Sequence, residues 1–147
     1  MRSHSKIKGV NRIIDANINR AKEGLRVCEE IARFILDSRS LTSDFKSIRH
    51  KIDRIIRYPG VFVNLIGERK SLEDVGRKIY INELKRIDYK DIFYANLQRV
   101  KESIRVLEEF SKLKNINIAV KFKKIRYDIY ELEKKVAGKI SSLCHHR

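Results

Sequence analysis

The sequence reads ANINRAKEGLRVCEE at residues 16–30 and ANLQRVKESIRVLEE at residues 95–109. Nine of the fifteen positions are identical, and seven of these nine are polar or charged. A helix duplicated only for packing needs to keep nothing more than its apolar stripe. The retained Asn, Arg, Lys and Glu residues therefore indicate that the two stretches share a chemical task.

The duplication extends beyond this pair of stretches, because FKSIRHKI at residues 45–52 is echoed by FKKIRYDI at residues 122–129. Each half is predicted to be a helical hairpin, with repeat one at about residues 11–58 and repeat two at about 89–137. One hairpin alone has too little core to fold. We therefore expect a single all-α domain over residues 1–147, a four-helix bundle-like arrangement with approximate two-fold symmetry and a long central loop at about 59–88.

Periodicity places the four helices within these hairpins. The expected ranges are about 11–37, from a cap at Thr42 or Ser43 to Tyr58, about 89–113 and about 118–136, followed by a frayed C-terminus. Between the hairpins, residues 60–66 are short, apolar and open to an extended conformation, and residues 67–77 form a charged loop bounded by glycines. Long irregular connections in small domains are often functional.

The composition is that of a folded, basic protein. Hydrophobic residues make up 42% of the chain and charged residues 36%, a mixture typical of amphipathic helices rather than of a disordered chain. The net charge of +15 should attract polyanions such as nucleotides, phosphorylated metabolites or nucleic acid. A lysine-rich composition without a functional cause is the alternative explanation for most of the surface lysines.

Cysteine content and hydropathy bear on where the protein works. Cys28 and Cys144 make no disulfide framework, which fits a reducing cytosol. Residues 1–8 lack the apolar core of a signal peptide, and the longest apolar run, residues 61–63, is too short to span a bilayer. We expect a cytoplasmic protein without a membrane partner.

Several polar residues of the repeat fall on the apolar side of the predicted helices. On a wheel of about 100° per residue, Asn17 and Arg20 lie within or beside the apolar arc, and Asn96 and Arg99 take the same places in the second copy. Glu29 lies opposite, where a solvated face is expected. An unpaired arginine in an apolar interior is strongly destabilising, so these arginines need partners.

Two kinds of partner are open for Arg20 and Arg99. One is a buried ion pair with Glu23 or Glu102. The other is an anionic ligand in a polar pocket shared by the two hairpins, because two converging guanidinium groups suit phosphate oxygens. The symmetric positions of the asparagines and arginines favour the shared pocket.

Other charged residues could complete such a pocket. Arg49 and Arg126 sit near the apolar stripes of their helices and either close the pocket or snorkel at the bundle edge. His50 has Tyr127 as its counterpart, so a histidine required in both halves is excluded, and a surface histidine is expected. Acidic residues that could hold Mg²⁺ are Glu23, Glu30, Glu102, Glu109 and Asp74, although no spacing identifies a metal site. Walker A, GxGxxG, HExxH and paired CxxC motifs are absent from the sequence.

The order of motifs resembles a known family. The motifs are DANINRAKEGLRVCE at residues 15–29, ARF at 32–34, RH at 49–50, DVG at 74–76, LEE at 107–109 and RYDIYELE at 126–133. Together with residues 95–102 they resemble the all-helical, monofunctional hydroxymethylpyrimidine phosphate kinase of thiamine biosynthesis, a domain often fused to thiamine-phosphate synthase. The resemblance covers about residues 11–137.

This resemblance implies phosphorylation of 4-amino-5-hydroxymethyl-2-methylpyrimidine phosphate to its diphosphate, with ATP as co-substrate and Mg²⁺ as cofactor. In such a reaction the protein mainly positions the two phosphate-bearing molecules and neutralises their charge. The implied roles are phosphate binding by Arg20, Arg49, Arg69, Arg99 and Arg126, orientation by Asn17 and Asn96, and metal binding or proton acceptance by Glu23, Glu102 and Asp74. The loop reads RKS at residues 69–71 where the family is expected to carry an acidic residue after the Arg, which weakens a metal role there.

The implied partners are a phosphorylated pyrimidine, a nucleotide and thiamine-phosphate synthase, and a homo-oligomer is open. One competing function is a basic helical nucleic-acid binder, which charge favours but which lacks a recognition helix, a stacking platform or a single basic stripe. Another is a non-catalytic module that docks on thiamine-phosphate synthase. The retained Asn and Arg pairs argue for the kinase.

Overall fold

The computed structural model describes residues 8–78 and 84–145. Within them the chain forms four α-helices and no strand, which confirms the predicted all-α fold. None of the described helices is long and apolar enough to cross a membrane. The helices are α1 (Val10–Glu30), α2 (Arg39–Ile56), α3 (Tyr89–Ser111) and α4 (Ile116–His145).

The apolar stripes of all four helices meet in one core. Helix α1 packs on α2 and α3, and α4 packs on α2 and α3, so the two hairpins bury their stripes against each other. Phe45 of α2 and Phe93 of α3 are fully buried, and their ring centroids lie 6.2 Å apart in an edge-to-face arrangement. Such pairs add to the free energy of burial because the positive ring edge meets the negative face.

Small residues bring α1 and α3 close together. A Cβ atom at Gly24 would lie only 2.6 Å from Val100 Cγ2 and 3.0 Å from the backbone oxygen of Asn96. Ser103, the counterpart of Gly24 in the second repeat, is also buried. The glycine is therefore required by the helix crossing and not by backbone conformation.

The end of helix one departs from the predicted α-helix to residue 37. Residues Ile31–Ile35 form a π-helical turn, in which the amide of Leu36 donates to the carbonyl oxygen of Ile31 at 2.9 Å. The wider turn shifts the side chains that follow out of helical register. Phe34 and Ile35 are consequently exposed, although helical periodicity puts Ile35 in the apolar arc.

The following turn begins α2 earlier than predicted. Asp37 has a φ of 50°, and Ser38 then caps the helix by accepting a hydrogen bond from the amide of Leu41 at 3.2 Å. The predicted caps, Thr42 and Ser43, lie inside the first turns of α2 instead. A serine whose hydroxyl accepts from the third amide of a helix satisfies one of its free donors, which explains the earlier start.

Helix α3 follows the prediction closely, whereas α4 extends to His145, well beyond its predicted end at residue 136. Asp88 caps α3 by accepting hydrogen bonds from the amides of Lys90 and Asp91 at 3.0 and 3.1 Å. Helix α4 does not fray after Val136, because Val136 and Ile140 are both buried in the core and hold the helix on α3. Near the C-terminus the sequence reads CHH at residues 144–146. Cys144 is exposed, and His146 lies outside the described residues.

The segment between the hairpins is irregular and lies on α1. Residues 60–66 are not extended, and two 3₁₀ turns follow at Ile66–Glu68 and Ser71–Glu73. Val61, Phe62 and Leu65 pack partly buried against the core. The side-chain amide of Asn11 donates to the carboxylate of Glu68, so the segment is tied to the start of α1.

Candidate functional site

A two-point ion pair joins the connecting segment to α1. Arg69 donates from Nε and Nη2 to the two carboxylate oxygens of Asp15, at 2.6 Å each. Asp15 is only 7% exposed, and its hydrogen bond and charge raise the pKa of Arg69 above its usual value. A bidentate pair of this kind fixes both the position and the orientation of the guanidinium.

On one side of this ion pair lies a cavity of about 510 Å³, here called the Arg20 cavity. It brings together four of the residues that the sequence predicted, Asn17, Arg20, Arg69 and Asp74. Its other charged lining residues are Arg12, Asp15 and Lys70. Since Asp15 is already paired with Arg69, the remaining charge of the cavity is positive and suits an anion such as phosphate.

On the other side lies a cavity of about 590 Å³, the Phe62 cavity, which shares Asp15, Asn19 and Arg69 with the first. Its apolar lining residues are Ile18, Ile56, Phe62, Leu65 and Ile66. Two asparagines, Asn19 and Asn64, add hydrogen-bonding amides. Five charged residues complete the described lining: Asp15, Lys22, Asp53, Arg57 and Arg69. An apolar wall combined with polar groups suits a small organic ring that carries hydrogen-bonding atoms.

A third cavity continues the row along α1. This Arg49 cavity has a volume of about 320 Å³ and is lined by Asn19, Lys22, Glu23, Arg26 and Arg49. It shares Asn19 and Lys22 with the Phe62 cavity, so the three spaces adjoin one another. Lys22 is itself held by an ion pair with Asp53 of α2 at 2.7 Å.

The guanidinium of Arg49 is held by a buried glutamate. Arg49 Nε donates to Glu29 at 2.9 Å, and Arg26 lies 3.2 Å from the same carboxylate. Glu29 is 4% exposed, so its expected place on a solvated face was wrong. The wheel of α1 alone could not show that α2 covers this side of the helix and brings a guanidinium to it.

The second repeat contains the same arrangement. Arg126 Nε donates to Glu108 at 2.8 Å, and Arg105 lies 3.3 Å from Glu108. Burial by itself raises the pKa of Glu108, but the hydrogen bonds and charges of Arg126 and Arg105 bring it below its usual value. Sequence reasoning missed both glutamates as partners, although their identity at equivalent repeat positions was the available signal.

Arg20 and Arg99 do not point into the core, which corrects the sequence-based expectation. Both are exposed, and neither forms an ion pair with a described carboxylate, so the buried pair with Glu23 or Glu102 is wrong. The pocket shared by both repeats is wrong as well, because Arg20 and Arg99 both lie at the surface and Arg99 lines none of the three cavities. All described residues that line the three cavities lie between Gly9 and Asp74.

The asparagines of the repeat have a local structural role. Asn17 and Asn96 each donate from Nδ2 to the carbonyl oxygen four residues earlier, Ile13 and Ile92, at 2.8 Å. Only Asn17 also lines one of the three cavities. Asn96, Arg99, Glu102 and Arg126 are not brought to this row, so a binding role for them stays a prediction.

Four of the described acidic residues line the three cavities, and two of them, Asp15 and Asp53, are held in ion pairs; the other two are Glu23 and Asp74. Within residues 8–78 and 84–145, no three His, Cys, Asp or Glu side chains cluster as metal ligands would. Asp74 offers a carboxylate in the Arg20 cavity, where one oxygen accepts from the amide of Gly76 at 2.8 Å. Mg²⁺ commonly takes one or two carboxylates together with substrate phosphates and water, so the single carboxylate of Asp74 fits such an ion.

Comparison with known proteins gives a consistent picture. The model of the ThiD2 family matches residues 12–135. Relatives named thiamine-phosphate synthase are 38% identical in Synechocystis sp., over 88% of this chain and 36% of that protein, and 40% identical in Rhodopirellula baltica, over 92% and 37%. A further one in Nostoc punctiforme is 39% identical over 88% and 36%. The chain thus spans about a third of the length of these curated relatives. No solved structure matches.

Proposed function

The chain belongs to the ThiD2 family, and we propose that it acts in thiamine biosynthesis as a kinase that uses ATP to convert 4-amino-5-hydroxymethyl-2-methylpyrimidine phosphate to its diphosphate. One observation carries the proposal: a cationic cavity adjoins a cavity that has an apolar wall, and Arg69 lines both of them. A substrate made of an aromatic ring and a phosphate needs this pair of environments. The name of the relatives supports the pathway.

The substrate ring fits the Phe62 cavity better than the Arg20 cavity. Phe62, Leu65 and Ile66 supply the apolar surface that a planar heterocycle buries, and the amides of Asn19 and Asn64 can pair with its amino group and ring nitrogens. The phosphate of the substrate then reaches Arg69, where the two cavities meet. Holding the ring and the phosphate at separate points orients the reacting oxygen.

The phosphates of ATP fit the Arg20 cavity. Arg12, Arg20 and Lys70 line this cavity and give it positive charge. Charge spreads over the phosphoryl oxygens during transfer, so fixed cations stabilise the transition state more than the ground state. Asp74 would hold Mg²⁺, which when bound neutralises charge between the donor phosphates.

A proton acceptor is not needed for this reaction. The attacking group is a phosphate oxygen, and a phosphate monoester has a second pKa of about 6, so it is largely deprotonated at neutral pH. The carboxylates of Glu23 and Asp74 are therefore assigned to positioning and metal binding rather than to base catalysis. This assignment revises the role that the family resemblance suggested for them.

The test is direct. The purified chain is incubated with ATP, Mg²⁺ and the pyrimidine monophosphate, and ³¹P NMR follows the appearance of the diphosphate together with an equal amount of ADP. We expect turnover that requires the monophosphate, with the unphosphorylated hydroxymethylpyrimidine as the control substrate. A folded, helical protein that forms no diphosphate under these conditions contradicts the proposal.

A second candidate follows from the lengths of the relatives. The chain corresponds to about a third of proteins named thiamine-phosphate synthase, which favours a non-catalytic module of that enzyme. Such a module would bind a synthase and change its rate without forming the diphosphate itself. The cationic side chains of the Arg20 cavity, which a purely structural module does not need, favour the kinase.

A further inference from the structure

A second basic surface lies on the other side of α2. Helices α2 and α4 enclose a groove of about 800 Å³, here called the basic groove, whose floor consists of Ile55, Val120 and Ile125. Ile55 and Ile125 are nearly buried, whereas Val120 is 47% exposed at the surface of the groove. The floor lies between the two helices, with Ile55 on α2 and Val120 and Ile125 on α4.

Positive charges surround this floor. Arg54 of α2 and Lys121, Lys123 and Lys124 of α4 line the groove, and none of these four forms an ion pair with a described carboxylate. At one end Lys51 and Asp128 bridge the two helices at 3.1 Å. Clustered like charges repel one another, so an acidic partner would relieve a cost that the isolated protein carries.

The basic groove is separate from the row of cavities on α1. It has no lining residue in common with any of them. Helix α2 divides its side chains between the two surfaces, with Arg49 and Asp53 turned toward α1 and Lys51 and Arg54 toward α4. A ligand of the groove would therefore be a molecule other than the substrates of the proposed kinase.

We propose that the basic groove binds an amphipathic acidic helix of a partner protein. A groove between two helices with an apolar floor takes the apolar face of a third helix, whose side chains at i, i+3 or i+4, and i+7 enter it. Arg54 on one wall and Lys123 and Lys124 on the other meet carboxylates that flank this face. Complementary charge speeds association and fixes the direction of the helix.

The apolar floor distinguishes this partner from a nucleic acid. Nucleic-acid backbones bind mainly through neutralisation of their phosphates, and this contribution to affinity gains nothing from an apolar floor. Burying Val120, by contrast, stabilises only a complex whose ligand offers an apolar side chain. A nucleic acid remains an outcome that the experiment can show.

The experiment uses the full chain and a fluorescein-labelled 18-residue helical peptide with Leu at heptad positions a and d and Glu at the flanking positions. We expect binding by fluorescence anisotropy that is at least about ten-fold tighter than that of a scrambled peptide of the same composition. The double variant Arg54→Glu/Lys124→Glu should lose this binding, and Val120→Ser should weaken it about three-fold or more. Circular dichroism verifies that each variant is helical.

A matched control keeps the charge change and moves it out of the groove. Lys46→Glu/Lys134→Glu alters the same two helices at exposed positions that do not line the groove, and it should keep the discrimination between the two peptides. The proposal is overturned by equal binding of patterned and scrambled peptides, by equal losses in both double variants, or by no peptide binding. It is also overturned if a 20-nucleotide DNA binds the wild type more tightly than the patterned peptide does.

Discussion

Helices α1 and α3 share nine of fifteen residues in their repeated stretch, yet they meet different neighbours. The connecting segment packs on α1, where the ion pair between Arg69 and Asp15 holds it. On α3 the residue equivalent to Asp15 is Tyr94, which offers no carboxylate to an arginine. The same arginine therefore lines a cavity as Arg20 and remains on an open helix face as Arg99. The candidate role of Arg20 therefore depends on the connecting segment that packs beside it, and not on the repeated sequence alone.

The two copies also differ at the second helix of each hairpin. Arg49 lines a cavity, whereas Arg126 donates from Nη1 to the hydroxyl of Tyr130 at 3.1 Å and lies 5.8 Å from the centre of its ring. Lys101, the equivalent of Lys22, is held by Glu133 at 3.1 Å, much as Lys22 is held by Asp53. The difference therefore lies at the arginine, because Tyr130 of α4 contacts Arg126 in repeat two whereas Arg49 lines a cavity in repeat one. The divergence assigns the proposed site to one half of the chain.

The largest effect is expected from exchanging the two equivalent arginines for alanine. Arg20→Ala should lower kcat/KM for diphosphate formation about 100-fold, because it removes a fixed cation from the Arg20 cavity. Arg99→Ala should stay within about two-fold of wild type, since Arg99 lines none of the three cavities. Steady-state kinetics measures kcat/KM for both variants. Equal losses of kcat/KM in Arg20→Ala and Arg99→Ala would support a site shared by the two repeats and contradict a site in repeat one alone.

The next effect concerns the contact that distinguishes the repeats. Arg69→Ala should lower kcat/KM about ten-fold or more and should also make the connecting segment more sensitive to limited proteolysis, because Asp15 loses its partner. Asp15→Asn removes the charge of the pair and leaves Arg69 in place, so it is expected to loosen the segment with a smaller loss of activity. A segment that resists protease equally in all three proteins would show that the ion pair does not hold it.

A moderate effect on stability is expected where the two repeats cross. Gly24→Ala should destabilise the fold by about 1–3 kcal/mol, because the added Cβ would overlap Val100 and press on the backbone of Asn96. Ser103→Ala, at the equivalent position, adds no atom and should change stability less. Urea denaturation followed by circular dichroism measures both. If Gly24→Ala left the free energy of unfolding unchanged, α1 and α3 could move apart at this crossing without loss of stability.

A similar or smaller effect, equal in the two halves, is expected for the buried glutamates. Glu29→Gln and Glu108→Gln should each destabilise the fold by about 1–3 kcal/mol at pH 7, because each weakens hydrogen bonds to two arginines. The folded state lowers the pKa of Glu108, so its contribution is present above the usual value of 4.5 and is lost as the pH falls through the lowered pKa.

The pH dependence supplies the check on this pair. The stability difference between wild type and Glu108→Gln should be largest at pH 7 and should shrink only when urea denaturation is carried out at pH values stepped downward from 4.5. A difference that stays constant below pH 4.5 would show that the glutamate is not held as a carboxylate by Arg105 and Arg126. If only one of the variants Glu29→Gln and Glu108→Gln lost stability, the ion pairs of the two glutamates would not be equivalent.

The smallest effect concerns Cys28, whose counterpart in the second repeat is Leu107. Both are fully buried, and burial raises the pKa of the Cys28 thiol to about 12. Because the thiolate is the reactive form, a disulfide reagent at pH 8 should modify only the exposed Cys144 within minutes. Two equivalents of rapid modification in the folded protein would show that α1 opens locally.

Much of the fold could be predicted because it depends on local periodicity. The apolar spacing indicated all four helices, and the predicted end of the second helix at Tyr58 and start of the third at residue 89 agree with the structure within a few residues. The π turn at Ile31–Ile35 could not be predicted, because its wider hydrogen bonds compete closely with an α-helix and packing decides between them. The burial of Glu29 depends in the same way on a guanidinium from another helix.

The candidate site was predicted only in part. Helical periodicity singled out Asn17 and Arg20, the acidic residues considered for Mg²⁺ included Asp74, and the family resemblance added Arg69. The structure gathers these four residues in one cavity. The expectation that Arg20 and Arg99 converge was wrong, since symmetric sequence does not determine which surfaces receive the connecting segment. The apolar half of the site, around Phe62, was missed because residues 60–66 carry no helical or strand periodicity.

The sequence by itself determined that this protein is all-helical, duplicated and rich in cationic groups suited to phosphate, because these properties are written in residue type and spacing. Only the tertiary structure decided that the cavities lie in the first half, that Glu29 and Glu108 are buried ion-pair partners, and that α2 carries two separate charged surfaces. The physical reason is that side-chain environment depends on contacts between residues far apart in the chain. The ion pair between Asp15 and Arg69 spans 54 positions, and no local pattern in the sequence records it.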